Sequence, residues 1–488
     1  MILDYAGLAH SLLPELSLVL GALLVLGFDL VVGRRDTLDE RLRNSTAIGA
    51  IAVAAAAVHC VRLGAPGTVF GGVLVFDTLA LVTRLGVLAL VLLTLGLSAS
   101  SVRQAHPAEY VAILLFGATG LTLMPAAQQL LLAFLALELA SLSLYVLAGF
   151  DQTRREAAEA ALKYFLLGGM SAAFLLFGFS LIYGLTGSIY LPHVASQLAM
   201  QPMSTLLVVA LVMVLVAFGF KVAAAPFHLW APDVYQGAPT PSAALIASAS
   251  KLSGFVLFTR LLWAGAGSAA GGVSTLPSTA GWLPAVAVVS LASLLLGNLG
   301  ALAQRNLRRL LAYSAIAHAG ALLIGVVGAG HSGPAAVVYY AVTYGLATVG
   351  AFGVISVLER RGPCQDITDL AGLSRRSPFL AGCLGVFILS LAGIPPLAGF
   401  FGKFAVFSTA LQLGGLTSPV GLLTLLAILL SAVALYYYLV VLKQVFVAGP
   451  AAAHPPLAID RIAGLSLLLC ATLLVVLGIW PSLLFGFF

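Results

Sequence analysis

Apolar runs of roughly 20 residues recur along this chain from one end to the other, separated by short stretches rich in arginine, glycine and proline. Their interiors do not alternate polar and apolar positions; the segment at 204–220 is almost continuously apolar. Only a helix satisfies its own backbone in lipid under that pattern, and about 20 such residues cross a bilayer. The pattern therefore predicts an all-α polytopic membrane protein. Cutting at the polar stretches gives fourteen spans, at 11–32, 44–62, 72–97, 109–125, 127–149, 160–185, 204–228, 239–264, 280–303, 307–328, 333–359, 379–412, 417–447 and 462–487. The first run follows Asp4 and contains Glu15 instead of a basic leader, so it is expected to remain as a span.

Composition agrees, at 61% hydrophobic, 8% charged and a mean hydropathy of +1.10, and leaves no stretch for a soluble domain. The net charge of +6 does not point to nucleic acid, because the basic residues are spread over short loops without a patch. Most of the 23 lysines and arginines follow odd-numbered spans, among them Arg34, Arg35, Arg103, Arg154, Arg155, Arg308, Arg309, Arg360 and Arg361. By the positive-inside rule those loops are cytoplasmic and both termini periplasmic, in the inner membrane of a bacterium. The four cysteines, Cys60, Cys364, Cys383 and Cys470, are scattered singly, so no metal or iron–sulfur site is expected.

Two spans are long and interrupted. Pro226 follows Lys221 in the seventh, and Gly393-Ile394-Pro395-Pro396 precedes Lys403 in the twelfth. Each proline lacks a backbone donor and clashes with the preceding turn, which breaks the helix. The seventh span is fourth in the set 4–8 and the twelfth fourth in the set 9–13. Five helices per set is an odd number, so the sets must be inverted, and paired broken helices point to a transport site between them. The expected organisation is a three-helix segment (1–108), a first repeat (109–264), a second, inverted repeat (280–447) and a C-terminal helix (448–488).

Ionisable groups inside such spans are costly and mark pathways. Lys221, Lys251, Lys403 and Glu138 are the strongest candidates. Lys163 lies near a span end, four residues after Glu159, where an ion pair and snorkelling would also account for it. His318 could be an interior hydrogen-bonded imidazole, and His228 could cap a broken end. Gly399-Phe400-Phe401-Gly402-Lys403-Phe404 is not a phosphate loop, since its glycine spacing is wrong and no Ser or Thr follows the lysine.

The stretch Lys221-Val-Ala-Ala-Ala-Pro226-Phe-His228-Leu-Trp230-Ala-Pro232-Asp233-Val-Tyr235-Gln236-Gly-Ala-Pro239-Thr-Pro241 resembles the signature of the antiporter-like membrane subunits of respiratory complex I, NADH-quinone oxidoreductase, and is most like subunit N. Leu137-Glu138-Leu139-Ala140-Ser141-Leu142, Leu162-Lys163-Tyr164-Phe165 and Ser390 to Phe404 agree with it. The resemblance implies fourteen helices with two inverted five-helix repeats, and a proton path through Glu138, Lys163, Lys221, Lys251, His318 and Lys403. It also implies partners: a small membrane subunit, neighbouring antiporter-like subunits and the other membrane subunits of the complex. No cofactor is expected in this chain; NADH, FMN, iron–sulfur clusters and quinone belong to those partners. The end at Phe488 and a lysine at 403 speak against the L and M subunits. A subunit of a multisubunit sodium/proton antiporter or membrane hydrogenase, and a non-transporting scaffold, are the rival readings. A solute carrier would need a midplane pocket with ligand contacts, and none is evident. The expected mechanism is a charge relay: Glu138 and Lys221 pair, and an arriving charge that separates them sends a proton toward Lys251, His318 and Lys403. A differential interaction of about 4–5 kcal/mol would match moving one proton against about 200 mV.

Overall fold

The computed structural model describes residues 5–99, 106–273, 280–360, 362, 364–449 and 459–488. Arg103 and Arg361, two of the loop arginines read above, lie outside the described residues. An entry helix α1 (Tyr5–Ser11) leads into α2 (Leu13–Val31) and α3 (Leu38–Leu63). A hairpin of β1 (Gly67–Val69) and β2 (Leu74–Phe76) precedes α4 (Thr78–Ser98). The next group is α5 (Pro107–Leu123), α6 (Leu130–Ala148), α7 (Arg155–Thr186), a short α8 (Leu191–Ala199), α9 (Thr205–Lys221), α10 (Trp230–Gly237), α11 (Thr240–Ala247) and α12 (Ala249–Arg260). Then come α13 (Trp282–Leu302), α14 (Leu307–Ser332), α15 (Ala335–Glu359), α16 (Leu373–Arg376), α17 (Pro378–Ala392), α18 (Ala398–Gly414) and α19 (Pro419–Phe446). The last two are α20 (Arg461–Ile479) and α21 (Ser482–Phe485).

Twelve of the described segments are long and apolar enough to cross a membrane, and α9 and α17 are shorter apolar helices. The polytopic helical class read from the sequence is thus borne out. The third expected span starts late. Gly72, at φ +87°, lets the chain turn, Leu74–Phe76 pairs with Gly67–Val69, and Asp77 caps α4 by accepting from the Ala80 N–H at 2.8 Å. The second begins early, because Thr37 and Glu40 form a capping box ahead of Leu38. The eighth span is also interrupted, which the sequence reading missed. Ser248 leaves helical geometry between α11 and α12, and its hydroxyl donates to the Ala244 carbonyl at 2.6 Å.

Connections after odd and even spans gather at opposite ends of the bundle. At one end, Arg309 reaches Asp233, Arg308 reaches Glu359, Asn306 bridges to Asp366, and the Gly372 N–H donates to the Gln444 carbonyl. This is the end rich in arginine. At the other, Leu74 bridges to Ala127, Gln129 to Tyr190, and Arg260 pairs with Asp77 at 2.7 Å.

Helices meet most closely where glycine removes the Cβ. A methyl at Gly120 on α5 would sit 2.5 Å from the Ala140 nitrogen of α6, and one at Gly297 on α13 would sit 2.4 Å from the Ala317 nitrogen of α14. Neither obstacle is a movable side chain, so the helices themselves must separate. Gly120→Ala should therefore destabilise the chain by about 1–3 kcal/mol, read as a lower melting temperature and less assembled protein in detergent. An unchanged melting temperature would show that the α5–α6 crossing relaxes freely. A methyl at Gly168 would collide with the Tyr145 side chain, because α7 crosses α6 there.

Candidate functional site

The central lysines sit where helices are broken or face close neighbours. Lys221 is the last residue of α9 and 4% exposed. Beyond it the chain leaves the helix at Ala223 (φ +56°), and Ala225 donates its N–H to the Ser293 hydroxyl of α13 at 2.8 Å. Trp230, stacked on Tyr164 at 4.4 Å between ring centres, donates from Nε1 to the freed Phe220 carbonyl. In the second broken segment Gly393 takes φ +85° after α17, and Lys403 on α18 folds its ammonium back onto the carbonyls of Leu391 (3.1 Å) and Ala392 (2.9 Å). The positive group thus lies on the negative end of a half-helix.

Glu138 and Lys221 do not form the expected direct pair. Lys221 Nζ donates to Ser141 Oγ at 2.9 Å, one turn after Glu138 on α6, and the Ser141 hydroxyl donates in turn to the Leu137 carbonyl at 2.7 Å. The buried Oε1 of Glu138 has no hydrogen-bond partner among the described residues. Glu138, Ser141, Tyr145, Ser171 and Lys221 line one cavity of about 10 Å³, close to the room needed for a single water.

The line continues through side chains the sequence reading passed over. Gly254 on α12 packs on the Lys221 stem, where a Cβ would stand 3.4 Å from Cγ, and Lys251 is one turn earlier. Lys251, 1% exposed, donates to the Ala315 carbonyl at 2.7 Å and stands 5.7 Å from the ring centre of Tyr344. Tyr344 is 4.9 Å from the His318 ring. His318 Nδ1 meets the Tyr340 hydroxyl at 2.6 Å, and Tyr340 packs on Gly402, next to Lys403. The visible signal is the i, i+4 spacing of Tyr340 and Tyr344 in a span whose interior carries no charged residue, which a search for charged groups ignores.

Two candidates lie off this line. Lys163 is 42% exposed and bonds both Glu159 (2.7 Å) and Asp233 (2.6 Å), the latter shared with Arg309 at 2.7 Å. It belongs to the ion network at the arginine-rich end. His228, 8% exposed, sits in the break after α9 with its Nδ1 unpartnered among the described residues. Pro226 occupies that same break, and Pro395 and Pro396 the one before α18.

Residues 127–431, which hold this whole line, match the model of the family described as NADH:quinone oxidoreductase/Mrp antiporter, membrane region. The chain belongs to that family. NADH-quinone oxidoreductase subunit N 2 of Acidobacterium capsulatum is 48% identical over 99% of this chain and 98% of its own length. A chain of respiratory complex I from Thermus thermophilus, solved with bound aureothin, superposes with a TM-score of 0.80 at 34% identity, covering 97% of this chain and 98% of that one. A chain of the Mrp complex from Dietzia sp. has a TM-score of 0.78 at 21% identity, covering 98% of this chain and 95% of that one, and shares the fold. The resemblance read from 221–241 is therefore borne out.

Proposed function

We propose that this chain is a proton-translocating subunit, of the subunit N type, of an NADH:quinone oxidoreductase. The observation that carries the proposal is the buried succession Glu138–Ser141–Lys221, Lys251–Tyr344–His318–Tyr340, Lys403, laid across the bundle through both sets of helices. A charged group this deep is costly unless it serves a pathway, and the full-length 48% identity to a protein named subunit N supplies the enzyme. NADH, FMN, iron–sulfur clusters and quinone are assigned to partner subunits, among them other antiporter-like subunits and a small membrane subunit.

Each broken pair, α9 with α10 and α17 with α18, is read as one crossing, which with the twelve long segments makes fourteen. Crossings 4–8 and 9–13 are read as inverted repeats. The matching glycine contacts support this, Gly120 against the helix of Glu138 and Gly297 against the helix of His318, both at backbone distance. The arginine-rich end is assigned to the cytoplasm, with both termini periplasmic in a bacterial inner membrane. Proton transfer begins at Glu138 and Lys221, with a water in the cavity beside Ser141 closing the gap between them. Lys163 and Asp233 serve at the cytoplasmic mouth, and His228 as an accessory at the break.

The sodium/proton antiporter and hydrogenase readings draw support only from the shared fold. Affinity purification of native membranes through this chain should bring down NADH-oxidising activity that acidifies or alkalinises vesicles. Recovery of sodium-dependent exchange without NADH oxidation would move the assignment to the antiporters. NADH-driven pumping that survives loss of Lys221 and Lys403 would leave it a scaffold.

A further inference from the structure

The second nitrogen of His318 points away from the line to Lys403. Nε2 meets the Tyr438 hydroxyl of α19 at 3.1 Å, and that hydroxyl also bonds Ser314, one turn nearer the arginine-rich end of α14. The neighbouring ring of Tyr437 lies 4.6 Å from that of Tyr438, and its hydroxyl donates to Asn298 Oδ1 on α13 at 3.2 Å. Asn298 spends its own amide on the Leu294 carbonyl, which leaves its oxygen aimed at Tyr437. All of these side chains are 0–5% exposed: His318, Ser314, Tyr437, Tyr438 and Asn298. Asn298 is four residues from the end of α13 at Leu302, about 6 Å of helix, or the length of roughly two water hydrogen bonds.

We propose that Tyr438, Ser314 and Tyr437 form a proton branch joining His318 to the arginine-rich end of the bundle, with Asn298 as the positioning residue that holds its outer hydroxyl. This rests on the proton-translocating reading above and deepens it: the second repeat opens toward that end. In one passage each hydroxyl oxygen accepts a proton as it gives up its own, so the tyrosines and the serine end unchanged. The last proton binds His318 Nε2, the one on Nδ1 leaves to the Tyr340 oxygen, and Tyr340 gives up its own proton on the side toward Lys403. The imidazole is left as its other tautomer, and a turn of the ring resets it. Two hydroxyls on the two ring nitrogens, one toward Lys403 and one off the line, are the geometry such a junction needs.

A purely structural role, tyrosine and asparagine gluing α13 to α19, predicts lost assembly and nothing more. The test is the ratio of protons moved to electrons passed in membrane vesicles carrying the assembled complex, for Tyr438→Phe, Asn298→Leu, Asn298→Ser and Lys403→Ala. The branch requires Tyr438→Phe and Asn298→Leu to lower the ratio as far as Lys403→Ala does, at normal assembly, while Asn298→Ser, which keeps a hydroxyl and room for a water, retains it. If Lys403→Ala lowers the ratio and Asn298→Leu does not, the branch is wrong. If Lys403→Ala leaves the ratio unchanged, the proton-translocating reading fails instead. Should Tyr438→Phe not assemble, Asn298→Leu decides.

Discussion

Lys221→Arg should stop proton translocation through this subunit while keeping a positive charge at the break. Lys221 Nζ has one hydrogen-bond partner among the described residues, the Ser141 hydroxyl, in a cavity with room for about one water. A lysine there can release and regain its proton as the Glu138 carboxylate is screened or exposed. Guanidinium holds its proton at every accessible pH, so the variant preserves the electrostatics and removes the transfer. Lys221→Met removes both. Each 1.4 kcal/mol added to the transfer barrier costs tenfold in rate, and loss of a buried carrier is expected to cost about one to two such steps. Initial rates of NADH-driven dye quenching in vesicles, normalised to NADH:ferricyanide reductase activity, should thus fall roughly 10–100-fold for both variants. Wild-type quenching in Lys221→Arg with loss in Lys221→Met would identify the lysine as a fixed charge, and the relay would have to begin elsewhere.

The sequence made the outer plan legible because lipid permits few solutions. Apolar length marked the spans, arginine marked the end they share, and Pro226 and Pro395–Pro396 marked two breaks. It did not show where lysine side chains find their partners. Lys221 and Glu138 were expected to meet directly, yet Ser141 sits one turn from Glu138 and receives the ammonium, an outcome set by the rotation of α6 against α9. Lys163 is the weakest of the lysine candidates in the sequence, and its position one turn from Glu159 and opposite Asp233 places it in the end network. The third break was hidden because Ser248 carries no proline or glycine signal; it departs from the helix just before the segment that presents Lys251. Tyr340 and Tyr438 join the titrating groups through hydroxyl contacts with His318, and Tyr344 through its ring, which faces Lys251; neither contact is visible in the order of residues.

A second large effect is expected far from that line, at Arg84. Its Nη2 donates to both carboxylate oxygens of Glu15 at 2.7 Å, the two side chains are 1% and 5% exposed, and the guanidinium lies 4.5 Å over the Phe76 ring. They join α2 to α4 within the membrane-spanning part of both helices. Removing one partner strands the other charge where neither water nor lipid solvates it, at a cost of about 3–5 kcal/mol. The damage should spread, because a Cβ at Gly86 on α4 would stand only 3.1 Å from Leu252 and Val342, and Leu90 packs on Gly345, beside Tyr344. Arg84→Leu or Glu15→Leu alone should therefore lower the melting temperature and the yield of the assembled complex sharply. Glu15→Leu with Arg84→Leu should recover most of both, since two apolar side chains of suitable size replace a buried pair at little net cost. The cycle is read by thermal unfolding of the detergent-solubilised complex. A double variant as unstable as either single one would mean that these charges do more than neutralise each other, and that the N-terminal three helices hold a second site of proton chemistry.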